Sequence, residues 1–146
     1  MDDDRNRKKY ITRHLLIGWW SLLSFLSLGI ALEVLHGTKA AWYLGADYEV
    51  RRLMWTLGHA HGSLLSLVHI ALAATLSISH GPKHLRAISS CLFSGSILLP
   101  CGFLLGGIFV YGGDPGIGVW LVPVGAALLL TAVGLVAIDI SRAQQQ

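Results

Sequence analysis

The chain has 146 residues, of which 11 are Lys or Arg and 8 are Asp or Glu, while 53% are hydrophobic. A soluble domain usually carries about a quarter charged residues, and this chain has 13%, which is too few to cover a surface that faces water. The composition therefore excludes an ordinary soluble protein. The net charge of +3 does not indicate a nucleic-acid partner, because the basic residues form no stripe along which phosphates could bind.

Four apolar segments are long enough to cross a bilayer, since about 20 apolar residues in a helix span about 30 Å of hydrocarbon. The connections between them leave no room for a second domain, so residues 1–146 are predicted to form a single membrane domain. The predicted spans are Leu15–His36, Leu53–Ser79, Ile88–Val110 and Ile117–Ile140.

The spans are predicted to be helices because hydrocarbon cannot satisfy exposed backbone amides, which leaves only helices or a closed barrel. Barrel strands alternate apolar and polar residues, and runs such as Leu128–Leu130 do not. We predict an all-α, integral membrane four-helix bundle with up-down-up-down topology. The first span is predicted to stay as an anchor, because its apolar core is longer than the 7 to 15 residues typical of a secretory signal.

Basic residues predict the orientation of the bundle. The N-terminal tail, the connection Gly81–Ala87 and the C-terminal tail share one side and together carry eight Lys or Arg, whereas the other side carries three. The positive-inside rule therefore places both termini in the cytoplasm. The membrane is predicted to be a plasma membrane or a bacterial inner membrane.

The two connections on the outer side differ in character. Gly37–Arg52 is long and bears aromatic residues, including Trp42 and Tyr43, that are suited to the headgroup level. Tyr111–Gly116 is predicted to be a tight turn, with Asp114 as a turn former.

Histidines inside the second span are the most informative residues. Burying an imidazole in lipid costs free energy, so His59, His61 and His69 are by default a functional-site hypothesis. On a regular helix His59 and His61 lie roughly 200° apart and cannot chelate one ion by themselves. Any cofactor therefore needs ligands from another helix.

The first span ends on the same side of the membrane, with Glu33 and His36 on adjoining helical positions. We expect Glu33, His36, His59 and His61 to converge in the outer leaflet and to bind a cofactor or metal. Three kinds of chemistry are open to such a cluster: a zinc or copper site, axial ligation of haem iron, or proton relay.

The sequence His59-Ala-His61-Gly62 resembles the histidine-bearing helices of haem–copper oxidase-type membrane subunits, in which a His followed by small residues supplies an axial haem ligand. The resemblance covers about four residues. It implies haem as cofactor, with His61 as the first candidate ligand and His59 as the second. The other axial ligand would come from His36 or from a second copy of the chain.

The same residues also have a structural interpretation. Gly58-xxx-Gly62 and Gly102-xxx-Gly106 are small-xxx-small motifs, which favour close helix packing in lipid. His59 and His61 would then only form hydrogen bonds across helix interfaces, and for His69 this is the preferred interpretation.

The remaining histidines lie near the predicted cytoplasmic edge. His14, His80 and His84 are predicted to be interfacial, because they neighbour basic residues or the Gly81-Pro82 turn. Asp139 is predicted to pair with Arg142, three residues later on the same helix.

The sequence therefore predicts a small membrane protein that binds haem or a metal for redox or electron-transfer work, as a homo-oligomer or within a larger membrane complex. An alternative is a non-enzymatic accessory or assembly subunit. A third is a small proton-coupled carrier with Glu33 as its titrating group. Whether the protein is an enzyme stays open, since the chain has no nucleotide-binding glycine loop and no Cys-x-x-Cys motif.

Overall fold

A computed structural model describes residues 2–45, 48–78 and 83–143. The described chain is helical, which confirms the all-α prediction, and four of its helices are long and apolar enough to cross a membrane by length and composition. The elements are α1 (Asp2–Gly37), α2 (Ala41–Leu44), α3 (Glu49–Ile78), α4 (Leu85–Ile108), a 3-10 helix (Ile117–Trp120) and α5 (Leu121–Ala143).

Three of the four long helices begin before the predicted spans, whereas α5 begins four residues after the predicted start, behind the 3-10 helix. Helix α1 already starts at Asp2, and an ion pair of 3.2 Å between Arg7 and Asp4 lies on its first turns. Helix α3 starts at Glu49, whose carboxylate lies 3.9 Å from the guanidinium of Arg52. Charged residues spaced three apart on a helix stabilise it weakly. The apolar pattern thus marks the segment suited to lipid and not the end of the helix.

The long helices pack in a row, with α1 against α3, α3 against α4, and α4 against α5. Neighbours run antiparallel: Gly18 of α1 packs on Ile70 of α3, whereas Gly29, farther along α1, packs on His59, which is earlier in α3. Helices α3 and α4 are therefore the central pair, and α1 and α5 flank them.

An apolar cluster lies where α3, α4 and α5 meet, around Leu76, Ile88 and Ala132, each 0% exposed. The flanking helices instead expose large apolar side chains, such as Trp20 at 67% on α1 and Leu130 at 75% on α5. A monomer in water rarely exposes apolar surface of this extent. The outer faces of α1 and α5 are suited to lipid or to another protein.

The predicted small-xxx-small motifs do lie at close helix contacts. A side-chain carbon added at Gly58 would lie 2.8 Å from Leu104 of α4, and one added at Gly62 would overlap the Phe25 ring of α1. The two glycines of the first motif therefore face different helices: Gly58 faces α4, and Gly62 faces α1. Both glycines of the second motif face the segment that leads from the 3-10 helix into α5.

The predicted turn at Tyr111–Gly116 is confirmed. Tyr111 and Asp114 exchange backbone hydrogen bonds of 3.1 and 2.9 Å, and the residues between them, Gly112 and Gly113, have φ angles of +58° and +88°. Such positive φ angles strain residues that have a side chain, which is why glycines occupy both positions.

The connection between α1 and α3 contains the short helix α2, which packs on α3. Tyr43 is only 3% exposed and stacks on Trp55, with ring centroids 6.3 Å apart, and Arg52 donates a hydrogen bond of 3.1 Å to the Tyr43 carbonyl. Trp42 is 50% exposed. Of these two aromatic residues, only Trp42 has the exposure expected of an interfacial anchor. Tyr43 is instead buried where α2 packs on α3.

Gly125 and Gly134 provide a matched test of packing within α5. An alanine side chain at position 125 would lie 2.7 Å from the backbone nitrogen of Leu99, whereas at position 134 nothing lies within 4 Å. We expect Gly125→Ala to destabilise the protein by about 1–3 kcal/mol through overpacking. Gly134→Ala should stabilise it by up to about 1 kcal/mol through helix propensity. Unfolding in detergent, followed by circular dichroism, measures both, and equal effects would contradict the packing described.

Candidate functional site

A groove of about 790 Å³ between α1 and α3 contains three of the four predicted site residues. Glu33 and His36 line it from α1, and His59 lines it from α3. The ring of His59 packs directly on Gly29, where any side chain would displace it. Much of the remaining lining is apolar and includes Leu26, Ile30 and Leu32.

The hydrogen bond of His59 determines its tautomer. Its Nδ1–H donates to the Phe25 carbonyl oxygen at 2.7 Å, and a carbonyl can only accept. In the neutral ring the lone pair is therefore on Nε2. No hydrogen bond of Nε2 with another described residue is seen. A histidine that donates one ring N–H to a backbone carbonyl and keeps the other nitrogen available is typical of metal and haem ligands.

Glu33 and His36 are exposed side chains near the end of α1. Within the described part of the chain, neither side chain forms a hydrogen bond or an ion pair. A carboxylate inside an apolar span is costly unless something compensates it. The pair therefore provides exposed polar groups at the same groove as the Nε2 of His59.

His61 lies apart from this groove. Its Nδ1 hydrogen-bonds to the Leu57 carbonyl of its own helix at 2.8 Å, and its ring lies 4.9 Å from that of Phe103 on α4. Of the four residues expected to converge, three line the groove and His61 does not, because His59 and His61 face different neighbours. In the described ranges no three His, Cys, Asp or Glu side chains are close enough together to hold a metal ion.

The resemblance names His61 as the first candidate ligand and His59 as the second. His61 does not line the groove, and its ring lies against that of Phe103. Both histidines hydrogen-bond to a backbone carbonyl through Nδ1. Of the two, only His59 lines the groove.

A second polar centre, which we call the histidine dyad, consists of His14 and His69. Their Nδ1 atoms lie 2.7 Å apart, and both side chains are 0% exposed. On the far side of each ring, Nε2 lies 2.9 Å from a serine hydroxyl of α4, Ser89 for His14 and Ser96 for His69. The dyad thus joins α1, α3 and α4.

The prediction that His14 is interfacial is wrong, since the ring is buried between helices. The basic residues before it suggested an exposed position, but Arg13 instead extends over the Phe93 ring of α4, at 4.9 Å. A signal was present on α3, where Gly62, Ser66 and His69 follow the i, i+4, i+7 spacing of one helix face. That face packs on α1.

The polar contacts of Asp139 also differ from the prediction. Its carboxylate accepts hydrogen bonds from the backbone N–H of His84 at 3.1 Å and from the ring Nδ1 of the same residue at 3.0 Å. The predicted partner, Arg142, interacts with this carboxylate electrostatically but forms no hydrogen bond with it among the described residues. The contact joins the start of α4 to the end of α5. His84 has a side chain that is 46% exposed, as expected for an interfacial residue, and His80 lies outside the described residues.

Comparison with protein-family models, with curated proteins and with solved structures finds no match to this chain. Two features of the chain itself are candidates for a functional site. They are the groove that His59 lines and the buried histidine dyad.

The two centres should differ in chemical reactivity. We expect diethyl pyrocarbonate, which acylates accessible unprotonated imidazoles, to modify His36 and His59 in the folded protein in detergent and to spare His14 and His69. Mass spectrometry of the peptides measures each site, and unfolding in strong detergent should make all four react. Modification of the dyad as fast as His36 in the folded protein would contradict its burial.

Proposed function

We propose that the chain is an integral membrane protein whose four long helices cross a plasma membrane or a bacterial inner membrane, with both termini in the cytoplasm. Helix length, apolar composition and the exposed apolar faces of α1 and α5 support this location. The hydrogen bonds His14–Ser89 and His84–Asp139 hold the start of α1, the start of α4 and the end of α5 at one end of the bundle. That end has most of the basic residues, which supports a cytoplasmic location.

We further propose that the groove between α1 and α3 binds a redox cofactor, and that His59 is its protein ligand. The observation that carries this proposal is the 2.7 Å hydrogen bond from Nδ1 of His59 to the Phe25 carbonyl, which leaves Nε2 available beside the groove. Haem is favoured over a bare metal ion, because a haem iron needs one or two axial ligands, and three converging side chains are not found among the described residues. A bound haem would supply one-electron chemistry.

The other residues of the groove have distinct roles in this proposal. Gly29 allows the His59 ring to lie against the backbone of α1, and Leu26 and Ile30 provide an apolar wall. Glu33 provides a negative charge near the mouth of the groove. His36, or a histidine of a second copy of the chain, is the candidate for the other axial ligand.

The second candidate function is that of an accessory or assembly subunit. The exposed apolar faces of the flanking helices favour it, since they offer surface to a larger membrane complex as readily as to lipid. In that function His59 would only connect α3 to α1. The two functions differ in whether the purified protein contains a chromophore.

An absorption spectrum of the full-length protein in detergent tests the cofactor proposal. We expect a Soret band that shifts on reduction, its loss in His59→Ala, and its retention in His61→Ala, because only the first variant removes the nitrogen at the groove. Circular dichroism checks that both variants are folded. Absence of a Soret band and of stoichiometric metal in folded wild-type protein, or bleaching by His61→Ala alone, would contradict the proposal.

Isolation from the native membrane tests the accessory function. A docking subunit should co-purify with stoichiometric partner subunits, and that association should persist in His59→Ala. Co-purification without a chromophore would favour this second candidate over the first.

A further inference from the structure

A second groove, which we call the basic groove, lies on one side of the first turns of α1. Its volume is about 620 Å³, and the described residues that line it all belong to α1. They recur at intervals of three and four positions, so their side chains are neighbours on the helix surface. The lining residues are Lys8, Lys9, Thr12, Arg13, Leu16 and Ile17.

The positive charge of the basic groove is not neutralised within the described part of the protein. Lys8 and Lys9 are exposed and form no ion pair with any described residue. The described carboxylate nearest to them in sequence, that of Asp4, pairs instead with Arg7 at 3.2 Å. Three cations between positions 8 and 13 repel one another, so an anion bound among them would be stabilised.

The third cation, Arg13, is positioned by α4. Its guanidinium carbon lies 4.9 Å from the centre of the Phe93 ring. A guanidinium over an aromatic face can still donate hydrogen bonds through its edge, and two parallel bonds to one phosphate group are a common arrangement. Thr12 adds an exposed hydroxyl to the same groove. The basic groove thus provides several donors that converge on a site suited to a phosphate.

An exposed apolar strip continues from the basic groove along the same side of α1. It consists of Leu16, Trp20 and Leu23, each more than half exposed. They follow Arg13 at intervals of three, four and three residues, which keeps them on one side of the helix and extends the surface by about 15 Å. A ligand that covers both the groove and the strip therefore has an anionic head and an apolar tail.

The position of the basic groove along α1 also suits a lipid headgroup. The apolar span of α1 begins at Leu15, so residues 8–13 lie just outside the hydrocarbon. Five residue steps of a helix rise about 7.5 Å. The headgroup layer on one side of a bilayer is about 5 to 7.5 Å thick. The phosphate that this layer offers is that of a phospholipid.

We propose that the basic groove binds one anionic phospholipid, whose phosphate contacts the three cations and whose acyl chains lie along the exposed apolar strip. The proposal rests on the membrane location proposed above, but it requires no cofactor between α1 and α3. A zwitterionic phospholipid carries an additional cationic group, which the cations of the groove repel. The site therefore selects lipids of net negative charge, which are enriched in the cytoplasmic leaflet.

Native mass spectrometry tests this selectivity. Purified full-length protein is equilibrated in detergent with equal amounts of phosphatidylglycerol and phosphatidylcholine that have the same acyl chains, and the lipids retained per protein are counted. We expect one phosphatidylglycerol to be retained, in several-fold excess over phosphatidylcholine. In Lys8→Gln/Lys9→Gln the preference should fall to near parity, because two of the three cations are removed.

The double variant Lys83→Gln/Arg86→Gln is the matched control. It removes the same number of charges from the same end of the bundle, where both side chains are exposed, but outside the basic groove. The lipid preference should therefore be retained. Both double variants should fold, as circular dichroism can verify, because none of the four side chains forms an ion pair with a described residue.

Inorganic phosphate distinguishes a lipid site from a simple anion site. At millimolar concentration it should not displace phosphatidylglycerol, because it has no chain to cover the apolar strip. Displacement by inorganic phosphate would overturn the lipid as ligand. The lipid site would also be overturned by a wild type without a preference, or by a preference that the two double variants lose or retain equally.

Extraction of native membranes with alkaline carbonate tests the membrane location separately, because an integral protein stays in the membrane pellet. A protein that stays in the pellet but shows no lipid preference would contradict the lipid site alone. Release from the pellet would contradict the membrane location itself. Failure of this inference and failure of the proposed location are therefore distinguishable.

Discussion

The constraint on which this structure depends is that polar groups in an apolar bundle must find their partners within the protein. Hydrocarbon offers no hydrogen bonds, so a buried imidazole or hydroxyl without a partner loses free energy. The chain meets this constraint at the dyad, where all four ring nitrogens of His14 and His69 have partners on three helices. Among the described residues the buried hydroxyl of Ser63 is the exception, since it has no hydrogen-bond partner.

Glycines make these polar contacts possible by bringing helix backbones close together. Gly18 allows the approach of Ile70 and of the Ser66 carbonyl, and Gly29 accommodates the ring of His59. Helix α1 can therefore reach the polar face of α3 with short side chains such as Ser21. Close packing and hydrogen bonding between α1 and α3 therefore depend on the same arrangement, because small residues and hydrogen-bonding residues alternate along the interface.

Sequence alone predicted the elements better than the site. The four helices and the turn at Tyr111–Gly116 follow from apolar run length and from paired glycines, which are local signals. The grouping of Glu33, His36 and His59 followed from helix ends that share one side. The dyad did not follow, because His14 and Ser89 are 75 positions apart and only tertiary packing brings their atoms to 2.9 Å. The separation of His61 followed from helical angle, but its contact with Phe103 did not.

The uninterrupted length of α1 has a mechanical consequence. Its 36 residues correspond to roughly 54 Å, whereas the hydrocarbon of a bilayer is about 30 Å thick. If the polar end near His36 lies at one surface, several turns must project from the opposite surface as a rigid stalk, because tilting alone absorbs only part of the excess. The basic side chains of the first turns would then be held at a fixed distance from the membrane surface and in a fixed direction, which a flexible tail would not do.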